Sequence, residues 1–480
     1  MSLDFSWFAD DMVLEILGHL PALDIVRYRR VCKRIYLASK ERSVWVNAFL
    51  RSECPLPPLD LETAPVEKLE KTLVRMEIMH AKWTGSRPTR AQVRRNSFTR
   101  RIFCVMPPYL VQLNREENGS KIIWFHRDDP DQIVEEHQTR FSWRTGRHYD
   151  PESGALTIAE VQEESEGSDQ KTIKVVRYEV TGEKSAISKT LENEIVWPNA
   201  SRDDIAPAVS IKGDYVVIET DHPRTIYLAH LKTGKMALCP VHNSNHSMWN
   251  QLTERFVTPP LFIQVDHDQL AVFTLPTEEE WSSSDLTMLR KTHTGVFPRG
   301  FTNIHIFHRS ATSFFVIGTT NEGQGFDREE PRTHLRLLIV DLDEHSSACH
   351  IREDDEYNVA GHMHHFSLAP CSPTSRSTLG LLGVRVPAPT HSPTGRRIAR
   401  NTRAIQPFFL GIKVDFGRED SKKSSISLTE LELLDSEAAE KGMSVECINY
   451  FDPYAGQIRL QERSPQGASV ECVIVDYLST

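Results

Sequence analysis

The sequence predicts a multidomain chain, α first and then all-β: three short N-terminal helices, a linker helix, then a large antiparallel β domain. Two observations carry this. Apolar residues recur at helical spacing up to Trp83, and at period two from about Ile102 onward. Clusters of Gly, Pro, Asp and Asn then cut the second part into short runs, with no long helical pattern among them. The expected boundaries are 5–52 for the helical module, 53–101 for a linker with a helix at 65–83, and 102–480 for the β domain.

The first helix is marked by Val13, Ile16, Leu17 and Leu20, at i, i+3, i+4 and i+7. Asp10 and Asp11 stand at its start, where carboxylates suit the helix dipole and cap free amides, and Pro21 ends it. A second helix is expected from Asp24, with Tyr28, Val31, Cys32 and Ile35 on its apolar face. Arg27, Arg29, Arg30, Lys33 and Arg34 make its other face basic. A third carries Trp45, Ala48 and Phe49 after Ser43. At about 1.5–3 kcal/mol per buried large side chain, three such helices barely offset their chain entropy, so the module should seek a partner surface.

The stretch from Phe8 to Arg34 resembles an F-box. Ile16, Leu17, Leu20, Pro21, Asp24, Ile25, Arg29, Val31, Cys32, Lys33 and Trp45 fall in register with that family's pattern. Phe8 and Ala9 stand where the family has Leu-Pro, and Asp11 where it has Glu. The resemblance implies docking on the Skp adaptor subunit, and through it on the cullin scaffold of a ubiquitin ligase. The implied docking face includes Leu14, Ile16, Leu17, Leu20, Pro21, Ile25, Val31, Cys32 and Trp45.

Pro55, Pro57 and Pro58 break the helical reading. The linker helix then begins near Pro65, and its stripe is Val66, Leu69, Leu73, Met76, His80 and Trp83. That stripe is too short for a coiled coil and suits a helix packed on its neighbours, able to hold the first module at a set orientation. Arg87, Arg90, Arg94, Arg95, Arg100 and Arg101 follow with no acid among them. They read as a solvated linker or a patch facing acidic loops; a nucleic-acid contact lacks interleaved aromatics. Ser97 suits a basophilic kinase, and Ser372-Pro and Ser392-Pro suit proline-directed ones.

In the β domain the expected strands include 122–125, 172–180, 215–219, 226–231, 262–265, 270–274, 304–307, 314–317, 335–342, 408–416, 428–434, 458–461 and 470–477. The segment from Gly213 to Lys235 reads as strand, turn, strand and glycine turn, similar to the inner hairpin of a propeller blade. Blades of roughly 40–50 residues make this region a degenerate six- to eight-bladed β-propeller, with two stacked sandwiches as the alternative. In a ring, the strand near 470–477 would complete a blade begun near 102–113. Glu160–Asp169 reads as a solvated hairpin insertion, Cys371–Arg403 as a polar loop, and Ser436–Lys441 as a short helix.

Other chemistry finds little support. A net charge of −10 argues against a dedicated nucleic-acid binder. The 8 cysteines are scattered, so neither a disulfide framework nor a zinc module is expected. No signal peptide and no membrane span are expected, which places the chain in the cytoplasm or nucleus. His362, His364 and His365 lack the Cys or spaced carboxylate that would complete a metal shell. Neither a nucleotide-binding loop nor a hydrolase motif occurs, and no cofactor is expected. The expectation is a substrate-recognition subunit and not an enzyme, its β domain holding an unidentified target protein. A non-degradative F-box scaffold and a propeller enzyme with an appended F-box are the alternatives.

Overall fold

The computed structural model describes residues 9–476 apart from 55, 58, 60, 84–88, 97–101, 107–108, 117–118, 127–128, 140–144, 151–152, 164–170, 182–185, 198–207, 222–223, 241–252, 284–285, 323–331, 344, 370–376, 387–405, 418–422, 435–443, 453–456 and 464–469. Five helices come first: α1 (Asp10–Gly18), α2 (Ala22–Tyr28), α3 (Lys33–Ala38), α4 (Arg42–Arg51) and α5 (Val66–Trp83). The module therefore has four helices where three were expected. The expected second helix breaks after Arg29, and Cys32 is extended, with φ −161° and ψ 163°. The break lets Ile25 and Ile35 both enter the core, while Tyr28 and Val31 are exposed. Helix α5 matches the expected span, and its buried face is Leu69, Leu73, Met76, Met79 and Trp83.

The strands are β1 (Thr89–Asn96), β2 (Ile102–Met106), β3 (Tyr109–Glu116), β4 (Gly119–His126), β5 (Asp129–Thr139), β6 (Gly146–Asp150), β7 (Ala155–Glu163), β8 (Lys171–Thr181), β9 (Ala186–Trp197), β10 (Ala208–Lys212), β11 (Tyr215–Asp221), β12 (Arg224–His230), β13 (Met236–Cys239), β14 (Thr253–Thr258), β15 (Leu261–Asp266) and β16 (Gln269–Thr274). A short helix α6 (Glu278–Ser283) precedes β17 (Leu286–Met288) and β18 (Arg290–Val296). The chain continues with β19 (Asn303–Ser310), β20 (Ser313–Glu322), β21 (Arg332–Leu342), β22 (Cys349–Ala360), β23 (His362–Leu368), β24 (Ser377–Val386), β25 (Gln406–Asp415), β26 (Ser425–Leu434), β27 (Ser444–Asp452), β28 (Gln457–Arg463) and β29 (Val470–Asp476).

Successive strands pair into four-stranded antiparallel sheets: β2–β5, β6–β9, β10–β13 with β17 added in parallel, β14–β16 with β18, and β19–β22. Two more units, β23–β26 and β27–β29 with β1, join edge to edge into one eight-stranded sheet. Sequence-local meanders in series are how propeller blades are built, whereas a sandwich interleaves distant strands. Seven four-strand units among the described residues fall within the expected six to eight.

The closing strand is a correction. β29 pairs antiparallel with β1, Gln92 opposite Asp476 and Asn96 opposite Cys472, and not with the segment after Ile102. β1 also pairs in parallel with β26, Thr89 opposite Leu431. The β region thus begins at Thr89, inside the expected linker, and most of the arginine-rich segment is strand. Arginine spacing alone carries no period-two apolar signal, which is why the strand was not legible.

Other expectations resolve individually. The hairpin read from Gly213 to Lys235 is present as β11 and β12, with Tyr215 opposite His230 and Gly234 at φ +67° in its closing turn. Residues 377–386 of the expected 371–403 loop form β24. Residues 160–163 of the acidic segment continue β7, with Glu160 buried. The expected helix at 436–441, the rest of both loops, and Ser97, Ser372 and Ser392 lie outside the described residues. Helix α6 was not anticipated, although Thr277 and Glu280 form a reciprocal capping box of 3.3 and 2.8 Å, a pattern readable in sequence.

The chain forms two compact units, residues 1–99 with 303–339 and 352–480, and residues 100–302 with 340–351. In the first, helices α1–α5 share one core with Leu379, Leu381, Leu431 and Ile458 of the eight-stranded sheet. A second core there gathers Phe315, Leu337, Phe366, Leu382, Ile412 and Phe416. In the second unit the cores are local: one spans Met106 to Ile187, another Tyr215 to Leu289, a third Ala159 to Met236.

Candidate functional site

The helical head sorts the expected docking residues into three sets. Leu17, Ile25 and Trp45 are buried, Trp45 completely, and belong to the head's own core. Leu14, Leu20 and Cys32 are half-buried against that core. Ile16 (46% exposed), Val31 (50% exposed) and Pro21 lie open. The first set packs inside the head itself. Helical periodicity reports which residues share a face; it does not report whether that face meets the same chain or another.

The exposed apolar residues on the head go beyond the expected set. Met12 on α1, Tyr28 at the end of α2, Tyr36 and Leu37 on α3 and Leu50 on α4 join Ile16 and Val31. Seven large apolar side chains are thus exposed within forty residues of sequence. Sequence reading missed Leu37 and Tyr36 because it placed α3 inside a longer helix.

A polar tie within the head is built around Arg29. Its Nη1 and Nη2 donate to Glu70 of α5 at 2.5 and 2.7 Å, a bidentate pair. Its Nε donates to Ser39 Oγ at 2.8 Å, and its guanidinium lies 5.4 Å from the Trp45 ring centre. Trp45 Nε1 donates to the Ser39 carbonyl at 2.8 Å. The hydrogen bond from Arg29 holds the Glu70 carboxyl below the usual carboxylate range.

Helix ends follow the same rule of borrowed partners. Asp10 and Asp11 were expected to cap α1, but no side chain caps it, and Asp10 instead pairs with Arg34 of α3 at 2.6 Å. Asp24 was expected to open the second helix; it lies in the first turn of α2 and pairs with Arg27 at 2.8 Å. The α2 N-cap is Pro21, which has no capping side chain. Glu77 of α5 supplies the carboxylate, accepting from Ala22 N at 2.5 Å and Leu23 N at 2.8 Å. Glu70 and Glu77 are seven residues apart and lie beside the apolar stripe of α5. Acids at that offset next to a buried stripe were the available sequence signal.

At its far end α5 is fixed to the eight-stranded sheet. Trp83 stacks on Phe451 of β27, 5.5 Å between centroids and 17° between planes. A Cβ on Gly411 of β25 would come within 3.1 Å of the Trp83 ring. Thr429 Oγ1 donates to the Trp83 carbonyl, and Ser377 Oγ donates to the Glu53 carbonyl at 3.0 Å.

Metal-ligating clusters and membrane-length apolar helices are both absent among the described residues. No cluster of three His, Cys, Asp or Glu could hold a metal ion, and no helix is long and apolar enough to cross a membrane. His362 and His364 lie on β23, and His365 Nε2 is 3.0 Å from Ser367 Oγ.

Residues 10–51 match the family model described as F-box-like. The chain therefore carries an F-box-like domain, followed by a large antiparallel β region. No curated protein matches it. Among solved structures it is similar to the WD40 domain of SCAP from fission yeast, at 10% identity and a TM-score of 0.34, covering 77% of this chain and 82% of that one. It is also similar to Sqt1 of Chaetomium thermophilum bound to the N-terminus of ribosomal protein L10, at 7% identity and a TM-score of 0.34, covering 80% and 96%. Hsv2p of Kluyveromyces lactis gives 10% identity and 0.32, covering 54% and 72%. Scores of this size transfer nothing of what those proteins bind.

Proposed function

We propose that the chain is the substrate-recognition subunit of an SCF-type ubiquitin ligase. The F-box-like domain docks on the Skp adaptor and through it on a cullin scaffold, and the β region holds a target protein. The observation that supports the docking step most directly is the exposure of Ile16, Val31, Leu37 and their apolar neighbours on a domain of this family. Burying a side chain of that size against a partner contributes about 1.5–3 kcal/mol. The chain itself carries out no covalent step; its work is to raise the effective concentration of a target near the conjugating enzyme. The same reading places it in the cytoplasm or nucleus.

The attachment of α5 to the sheet suits such a role. A head anchored through Trp83 holds whatever the neighbouring sheet binds at a set distance from the adaptor.

The test is binding of the purified full chain to the Skp adaptor, beside Ile16→Asp and Val31→Asp. Binding by the wild type and its loss in both variants, with unchanged melting, is expected. A folded wild-type chain that fails to bind would remove the docking reading. Adaptor binding without entry into a cullin complex would turn the assignment to a non-degradative scaffold.

A further inference from the structure

Helix α2 has seven residues, too few to hold helical form unaided, and its N-cap brings no side-chain acceptor. Both of its ends are held by α5. At the start, Glu77 takes the free amides of Ala22 and Leu23 at 2.5 and 2.8 Å. Just past the other end, Glu70 takes the guanidinium of Arg29 at 2.5 and 2.7 Å. Arg29 sits between Tyr28 and Val31, two of the exposed apolar residues. The two carboxylates thus set both where α2 begins and where the chain turns out to present that pair.

We propose that Glu70 and Glu77 are positioning residues for adaptor docking, and that α5 is a working part of the docking module although it lies outside the F-box-like match. The proposal rests on the docking reading above. Without the Glu77 carboxylate, α2 frays in the free chain, and the adaptor binds only the fraction in which α2 is formed. The apparent dissociation constant then rises in inverse proportion to that fraction.

The experiment uses the full chain and purified Skp adaptor, with affinity measured by calorimetry and amide hydrogen exchange followed at Ala22 and Leu23. In Glu77→Ala, affinity is expected to fall about tenfold, the scale of losing a charged helix cap. Exchange at those two amides should quicken in the free chain while the amides of α4 keep the wild-type rate, which a general loss of stability would not produce. Glu77→Gln keeps one acceptor oxygen and should fall between the two; it and Glu70→Gln carry the test if Glu77→Ala does not fold. Wild-type affinity in these variants overturns the proposal, whether or not the amides exchange faster. A wild-type chain that does not bind adaptor, with both amides protected, overturns the docking reading and the proposal with it. Val31→Asp serves as the contrast: it should lose binding while leaving exchange at Ala22 and Leu23 unchanged.

Discussion

Trp45 in the helical head and Trp124 on β4 are both fully buried, but their cores are assembled differently. The core around Trp124 draws on residues between Met106 and Ile187, and its ring meets His137 and Tyr178 at 5.2 and 5.0 Å. The core around Trp45 runs from Val13 to Ile458, almost the whole chain. Local cores close short loops and stand on nearby sequence; the head's core stands on a helix and a sheet formed by distant segments. The comparison teaches that an F-box-like domain recognisable in forty residues shares its buried core with segments more than three hundred residues away.

The sharpest way to break that comparison is Trp83→Ala. Removing a fully buried tryptophan should cost about 3–5 kcal/mol. Hydrogen exchange should show the head and the eight-stranded sheet losing protection together while β3 and β4 keep theirs. Loss confined to the helices would mean that the head's core is local after all.

Next in size is a contrast within one turn of α1. Leu17→Ala should destabilise the head by about 2–5 kcal/mol, since Leu17 is buried. Ile16→Ala, at an exposed site, should stay within about 0.5 kcal/mol in denaturant titration. Equal losses would contradict the division into buried and exposed residues.

Glu70→Gln should cost about 2 kcal/mol at neutral pH, as expected for hydrogen bonds to a charged group. The sign follows from the lowered carboxyl. A depressed carboxylate contributes fully above its unfolded value of about 4.3, and the contribution disappears as pH falls through the folded value. Wild type and variant should therefore differ at pH 7 and converge in acid. A difference that grows on acidification would rule out the Arg29–Glu70 pair as its source.

The smallest effect is chemical. Burial raises the Cys54 thiol to about 11 and the Cys239 thiol to about 12, so both should resist alkylation at pH 8 in the native chain. Cys54 lies in the head's core and Cys239 in a local core of the other unit. In Trp83→Ala, Cys54 should become reactive while Cys239 stays protected, by mass spectrometry. Simultaneous labelling would show that the two regions open as one.

Sequence by itself determined the order of the chain, helices and then meanders. It also determined α5, the hairpin of β11 and β12, and the F-box-like register through Ile16, Arg29, Val31 and Trp45. These are local patterns of period 3.6 or 2, set by side-chain geometry along one element. Tertiary structure decided what no local pattern holds. It split the second helix at Cys32. It turned Leu17, Ile25 and Trp45 inward and left Ile16 and Val31 outside. It drew Thr89–Asn96 into the sheet beside β29, and placed Glu70 and Glu77 at the two ends of α2. The last of these depend on distant partners, 41 and 55 residues away for the two carboxylates and nearly four hundred for β29, where burial and a matching donor or acceptor overrule the preferences of the segment itself.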